Sequence, residues 1–132
     1  MLSMSCKVED RSKRVLAKTK QASIQNLGHA GAAIRLTARR SIRRSQRYAA
    51  EGKPPHTRRG QLKSAIAYSV ERQQDLVVIG PEATKVGPSG SAHEHGGKYK
   101  RTRYAKRPFM GPALQRMQPR LPKIWAGSIK TR

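Results

Sequence analysis

The chain has 132 residues, with 29 Lys+Arg against 7 Asp+Glu, and a formal net charge of +22. Its length allows one domain, and 36% hydrophobic with 5% aromatic residues allows only a thin core. Cys6 stands alone, which excludes an intrachain disulfide framework and a cysteine-rich zinc site. No apolar run approaches the ~20 residues that span a bilayer, and the first residues lack the apolar stretch of a secretory signal.

The charge is uneven. Residues 1–50 carry 12 basic and 2 acidic side chains, residues 51–97 carry 6 and 5, and residues 98–132 carry 11 and none. Two basic ends flank a nearly neutral, β-branched centre. Like charges this dense repel one another. The basic surface therefore predicts an acidic partner: nucleic acid, an acidic protein face, or both.

Residues 1–7 read as loose. From Val8 to Ala50 no proline interrupts the chain, and the pattern predicts a long helix. Ile24, Leu27, Gly31, Ile34, Ala38 and Ile42 recur every three or four residues, tracing one apolar face. Gly28 and Gly31 mark a bend, a break or a close helix contact. Beside this face, Arg35, Arg39, Arg43 and Arg47 form a stripe at i, i+4 spacing, extended by Arg40 and Arg44. A solvated face alone does not account for so much unbalanced charge. A phosphate backbone and an acidic protein surface both remain open as its partner.

Gly52 and Pro54 then stop the helix. Ile66, Tyr68 and Val70 alternate with smaller or polar residues, Gln73–Asp75 supply a turn, and Leu76–Ile79 is a β-branched run ending at Gly80-Pro81. That pattern predicts an antiparallel hairpin. Residues 81–97 are rich in loop formers, with one helical turn expected at Ser91–His95. Lys98–Lys106 alternates basic residues with Tyr99, Thr102 and Tyr104, as an edge strand or an extended basic arm over 98–107 would. Tyr99 and Tyr104 fit an arm anchored on a neighbouring subunit better than a base-stacking platform. Lys98, Lys100, Arg101 and Arg103 would meet DNA or an acidic partner.

Ala105–Met117, AKRPFMGPALQRM, is the most punctuated stretch. Arg107 precedes a proline and is pushed into extended backbone. Pro112 suits the first turn of a helix, where its missing N–H is no loss. Ala113, Leu114 and Met117 continue at helical spacing. Phe109, the lone Phe, sits between Pro108 and Pro112 as an anchor, in its own core or in a neighbour's pocket. Pro119 and Pro122 interrupt the helix before a last apolar patch of Ile124, Trp125 and Ile129.

Catalysis finds no support. His93-Glu94-His95 lacks the i, i+4 spacing of a helical zinc motif, and residues 87–91 lack the Gly-Lys-Ser/Thr of a nucleotide loop. No paired carboxylates and no nucleophilic triad are visible. We expect no enzyme activity, no cofactor and no metal, with Glu94 pairing a nearby Arg or Lys.

Four segments resemble the virion-morphogenesis and tail-component proteins of tailed bacteriophages. They are PPHTRRGQLKSAIAYSV (Pro54–Val70), VVIGP (Val77–Pro81), AHEHGG (Ala92–Gly97) and KRPFMGPAL (Lys106–Leu114). Order and spacing agree over about residues 54–117, with a compatible long helix before them. His95 stands where an aromatic residue is usual, and the charge exceeds what the fold needs. The resemblance implies an α+β fold over 1–132: a long N-terminal helix, a small antiparallel sheet and a C-terminal helix. It implies a structural tail-completion or head–tail joining protein, assembled in the host cytoplasm and carried in the virion tail or neck. It further implies a ring, often of six copies, between tail and head-connector proteins, with no membrane contact. Ile24, Leu27, Ile34, Ile42, Tyr99, Tyr104 and Phe109 are then expected at subunit interfaces. The alternative is a basic nucleic-acid-binding protein of ribosomal or chromatin type.

Overall fold

The computed structural model describes residues 10–129, so the loose stretch expected at residues 1–7 lies outside the described residues. A 30-residue helix, α1 (Ser12–Ser41), runs about 45 Å at 1.5 Å per residue. Its first three turns are exposed at every position, and burial begins near Ala22. From there Asn26, Ala30, Gly31, Ile34 and Ala38 face the body.

The helix ends nine residues earlier than the proline-free stretch suggested. The apolar face explains why. After Ile34, Ala38 and Ile42 the next step along that face is Gln46, so further turns would have nothing to bury. Ile42 turns extended at φ −84°, ψ 117° and is itself buried, and the Ser41 hydroxyl donates to the Ala38 carbonyl, occupying one of the helix-end acceptors. The chain then forms β1 (Arg43–Arg44), a two-residue strand parallel to β2 (His56–Thr57). Arg43 and Arg47 therefore leave the helix, and the four-arginine stripe does not exist as one face.

A short helix, α2 (Gln61–Ala65), leads into the expected hairpin of β3 (Ile66–Glu71) and β4 (Leu76–Pro81). Its register runs from Ile66↔Pro81 to Glu71↔Leu76, around a four-residue turn closed by Asp75 at φ 51°. The hairpin lies across α1 at Gly31. A Cβ there would come within 2.8 Å of both Tyr68 and Val77, so the glycine marks a close contact and not a break. Gly28 has open space around it and the helix continues through it.

Two short helices, α3 (Ala83–Val86) and α4 (Ser89–His95), precede a second hairpin of β5 (Gly97–Tyr99) and β6 (Thr102–Tyr104). The C-terminal helix α5 (Met110–Met117) starts at the expected place. Pro119 and Pro122 convert its end into a 3-10 turn (Gln118–Arg120) and a last short helix, α6 (Leu121–Trp125). The architecture is α+β and mostly helical, with a long N-terminal helix, small sheets and C-terminal helices. The core sits where α1, α2, β3 and α5 meet: Ile34, Ala38, Ile42, Leu62, Ile66, Phe109 and Ala113. Among the described residues no helix is long and apolar enough to cross a membrane.

Candidate functional site

Three features surround this core: a capped junction, a basic cleft and an apolar groove. The junction joins α4 to α5. One carboxylate, Glu94, accepts from the backbone N–H groups of Phe109 (2.8 Å), Met110 (2.9 Å) and Gly111 (2.8 Å). These are the orphan donors of a helix start. Burial raises the affinity of Glu94 for its proton. The three N–H groups outweigh this and hold its carboxyl below the usual carboxylate range. Glu94 thus binds backbone and not an Arg or Lys, as the sequence had suggested. Gly111 gives it room, since a Cβ there would lie 3.2 Å from Oε1.

Phe109 is fully buried within its own chain, as are Ile34 and Ile42 to within a few per cent. Phe109 and Ile42 are not left for a subunit interface, because the core of α1, α2, β3 and α5 closes over them, while Ile34 lies between that core and the apolar groove. Next to the junction, Arg107 donates from Nε to the Ala49 carbonyl (2.7 Å) and from its backbone N–H to His93 O (2.7 Å). His93 is packed edge-on against Tyr104, with ring centroids 5.7 Å apart. Burial, and after it the Arg107 charge, pushes the His93 imidazolium toward losing its proton.

The segment expected as an extended basic arm folds back on itself. Gly97↔Tyr104, Lys98↔Arg103 and Tyr99↔Thr102 pair across β5 and β6. Tyr99 and Tyr104 are half-buried and touch each other, 6.5 Å between centroids, so they brace the hairpin and do not reach outward. Lys98, Lys100, Arg101 and Arg103 are all exposed. Two features of this hairpin are costly. Lys98 lies opposite Arg103, a like-charged pair. The two-residue turn also holds Lys100 at φ 46° and Arg101 at φ 62°, a left-handed turn that normally takes Asn-Gly.

The arginines of the supposed stripe separate into different roles. Arg35 is half-buried and donates from Nε to the Ile66 carbonyl (2.7 Å), tying α1 to β3. It belongs to the scaffold and not to a partner surface. Arg39 is half-buried on α1, while Arg43 and Arg47 are exposed beyond its end.

Arg43 instead lines a cleft of about 550 Å³ with Arg40, Tyr48, Lys53, His56 and Arg116. These come from the end of α1, the 43–56 segment and α5, so only tertiary structure brings them together. Among the described residues no carboxylate lines it. The nearest acidic residue in sequence, Glu51, sits in the turn between Ala50 and Lys53, outside the lining. His56 Nδ1 lies 2.9 Å from the Arg47 carbonyl, which can only accept, so Nδ1 carries a proton. Tyr48 is 79% exposed, and the Arg58 guanidinium lies 5.5 Å from its ring centre. Arg40 belongs to the basic surface seen in sequence. Lys53 and Arg116 were missed, since nothing in their spacing connects them.

On another side, an apolar groove of about 410 Å³ is lined by Leu27, Val77, Ile79, Leu114, Leu121 and Trp125 among others. Of the expected interface residues, Leu27 and Ile34 line it. Ile24 is half-buried one turn away on α1. Among the described residues no three His, Cys, Asp or Glu side chains gather as a metal site would require.

This arrangement is that of a small α+β scaffold with a basic surface. Compared with protein-family models, with curated proteins and with solved structures, the chain matches none.

Proposed function

We propose that the chain is a structural component of the head–tail junction of a tailed bacteriophage, a tail-completion or neck protein acting in a homo-oligomeric ring. One observation carries the reading. Glu94, from the AHEHGG segment, binds the N–H groups that open the helix of the KRPFMGPAL segment. Two of the stretches that carry the resemblance are thus one physical unit. Phe109, within the KRPFMGPAL segment, fills the same core as Leu62 and Ile66 of the PPHTRRGQLKSAIAYSV segment. Sequence features scattered over some sixty positions serve a single joint, as expected when they define one fold and not four coincidences.

In this reading the chain is no enzyme. The apolar groove with exposed Leu114 and Trp125 takes a neighbouring subunit, and six copies close the ring. Tail and head-connector proteins lie above and below it in the virion. The test combines native mass spectrometry of the isolated chain with a protein inventory of purified particles. A closed oligomer and a fixed copy number per particle are expected. A stable monomer absent from particles would overturn the proposal.

A second reading, a ribosomal or chromatin-like nucleic-acid-binding protein, is favoured by the open arginine cleft. It separates from the first by gene context. Portal, capsid and tail genes beside this one favour the virion protein, and their absence favours the second.

A further inference from the structure

We propose that the cleft between the end of α1, the 43–56 segment and α5 is a site for the phosphate backbone of nucleic acid. This goes beyond the head–tail reading and stands whether or not that reading holds.

The first ground is the state of the cations. Arg40, Arg43, Lys53 and Arg116 are exposed and converge on one opening. Among the described residues no hydrogen bond or ion pair holds any of the four side chains. Three other guanidiniums are tied to backbone carbonyls, Arg35 to Ile66, Arg107 to Ala49 and Arg44 to Arg58; the cleft differs in gathering its free cations in one concavity. Four unpaired like charges in one concavity repel one another, and a polyanion removes that repulsion. The planar guanidinium fork matches phosphate oxygens in pairs.

The second ground separates nucleic acid from an acidic protein face. A protein partner buries an apolar centre within a polar rim. The cleft has no such centre: apart from Ala49, Ala50 and Pro54 its lining is basic or hydroxyl-bearing. The apolar groove is lined by an entirely different set of residues. The one large ring at the cleft, Tyr48, stands 79% exposed with a guanidinium over it. Such a ring is suited to a sugar or base beside a bound strand.

The experiment titrates the full-length chain into a fluorescent DNA duplex of roughly 20 bp and follows affinity against salt. The cleft variant carries Arg40→Gln, Arg43→Gln, Lys53→Gln and Arg116→Gln. A control removes the same charge from the exposed start of α1: Lys13→Gln, Arg14→Gln, Lys18→Gln and Lys20→Gln. Lys20 and Arg40 are about 30 Å apart along the helix, beyond the ~8 Å screening length at physiological salt. The cleft variant is expected to bind about tenfold or more weakly, with a log–log salt slope shallower by roughly three to four. The control is expected to lose less than about threefold. Equal losses in the two variants would show that only total charge matters and would overturn the site. So would a polyglutamate of matched charge that displaces the duplex from the wild-type cleft as well as free duplex does, which would mark it as an acidic-protein surface.

Discussion

At the Glu94 junction three backbone N–H groups meet one carboxylate, a glycine leaves it room and a buried ring closes the core beside it. Around the cleft four cations have no partner among the described residues, and on the β5–β6 hairpin like charges face each other beside a left-handed turn. Both regions come from the same basic chain. The junction follows the rules of a stable fold; the basic surface breaks them. Natural sequences tend to break local rules where something other than stability is at stake. The difference places the junction in the scaffold and supports the proposal that the basic surface serves contact.

The largest expected effect lies at the junction. Phe109→Ala removes a fully buried ring and should cost about 3–5 kcal/mol, a large share of a small domain's stability. Circular dichroism melting of the isolated chain checks this. A normal melt would mean that the ring contributes only in an assembly, and the contrast between the two regions would lose its firmer half.

Next comes Glu94→Gln, which removes the charge from three hydrogen bonds and turns an amide donor toward backbone donors. A loss of about 1.5–3 kcal/mol is expected. The same group gives the pH dependence its sign. Its folded pKa lies below the unfolded value, so its contribution is complete above the ordinary carboxylate range and is lost as pH falls through the folded value. His93, also lowered, acts in the same direction from about pH 6.5 downward. Melting temperature should therefore fall on acidification from neutral pH, and the part below about pH 4.5 should shrink in Glu94→Gln.

Arg35 sharpens the comparison within one residue type. Arg35→Gln breaks the tie to Ile66 and should cost about 1–3 kcal/mol. Arg47→Gln, at an exposed position, should stay within about 0.5 kcal/mol of wild type. Denaturant titration of the two side by side measures the difference. Equal effects would mean that Arg35 is no more part of the scaffold than Arg47.

On the hairpin, Lys100→Asn with Arg101→Gly supplies the residues that a left-handed two-residue turn prefers. A gain of about 1 kcal/mol is expected. A loss, read from the same denaturant curves, would show that the basic pair stabilises the turn.

Much of the fold was legible because its signals are local. The apolar steps Leu27, Ile34 and Ala38, the turn before Leu76 and the proline of α5 each act within a few residues of themselves. The end of α1 was misread because no proline or glycine interrupts the chain between Gly31 and Gly52, although the apolar face runs out at Ile42. Burial decided the outcome, and charge spacing did not. Ile34 and Ile42 looked suited to an interface because periodicity shows that a residue is buried but not what buries it, and the prolines around Phe109 fix its backbone without saying whose core the ring enters. The role of Glu94 depends on a partner fifteen residues away. The cleft needs Arg116 to arrive from α5, which no spacing along the chain announces.

The claim that the basic surface serves contact and not stability is tested most directly by equilibrium unfolding of the cleft variant without DNA. With Arg40, Arg43, Lys53 and Arg116 all changed to Gln, the account expects a midpoint equal to or above wild type, because mutual repulsion is relieved and no internal partner is lost. A midpoint lowered as far as that of Glu94→Gln would contradict it, and would make these cations part of what holds the fold together.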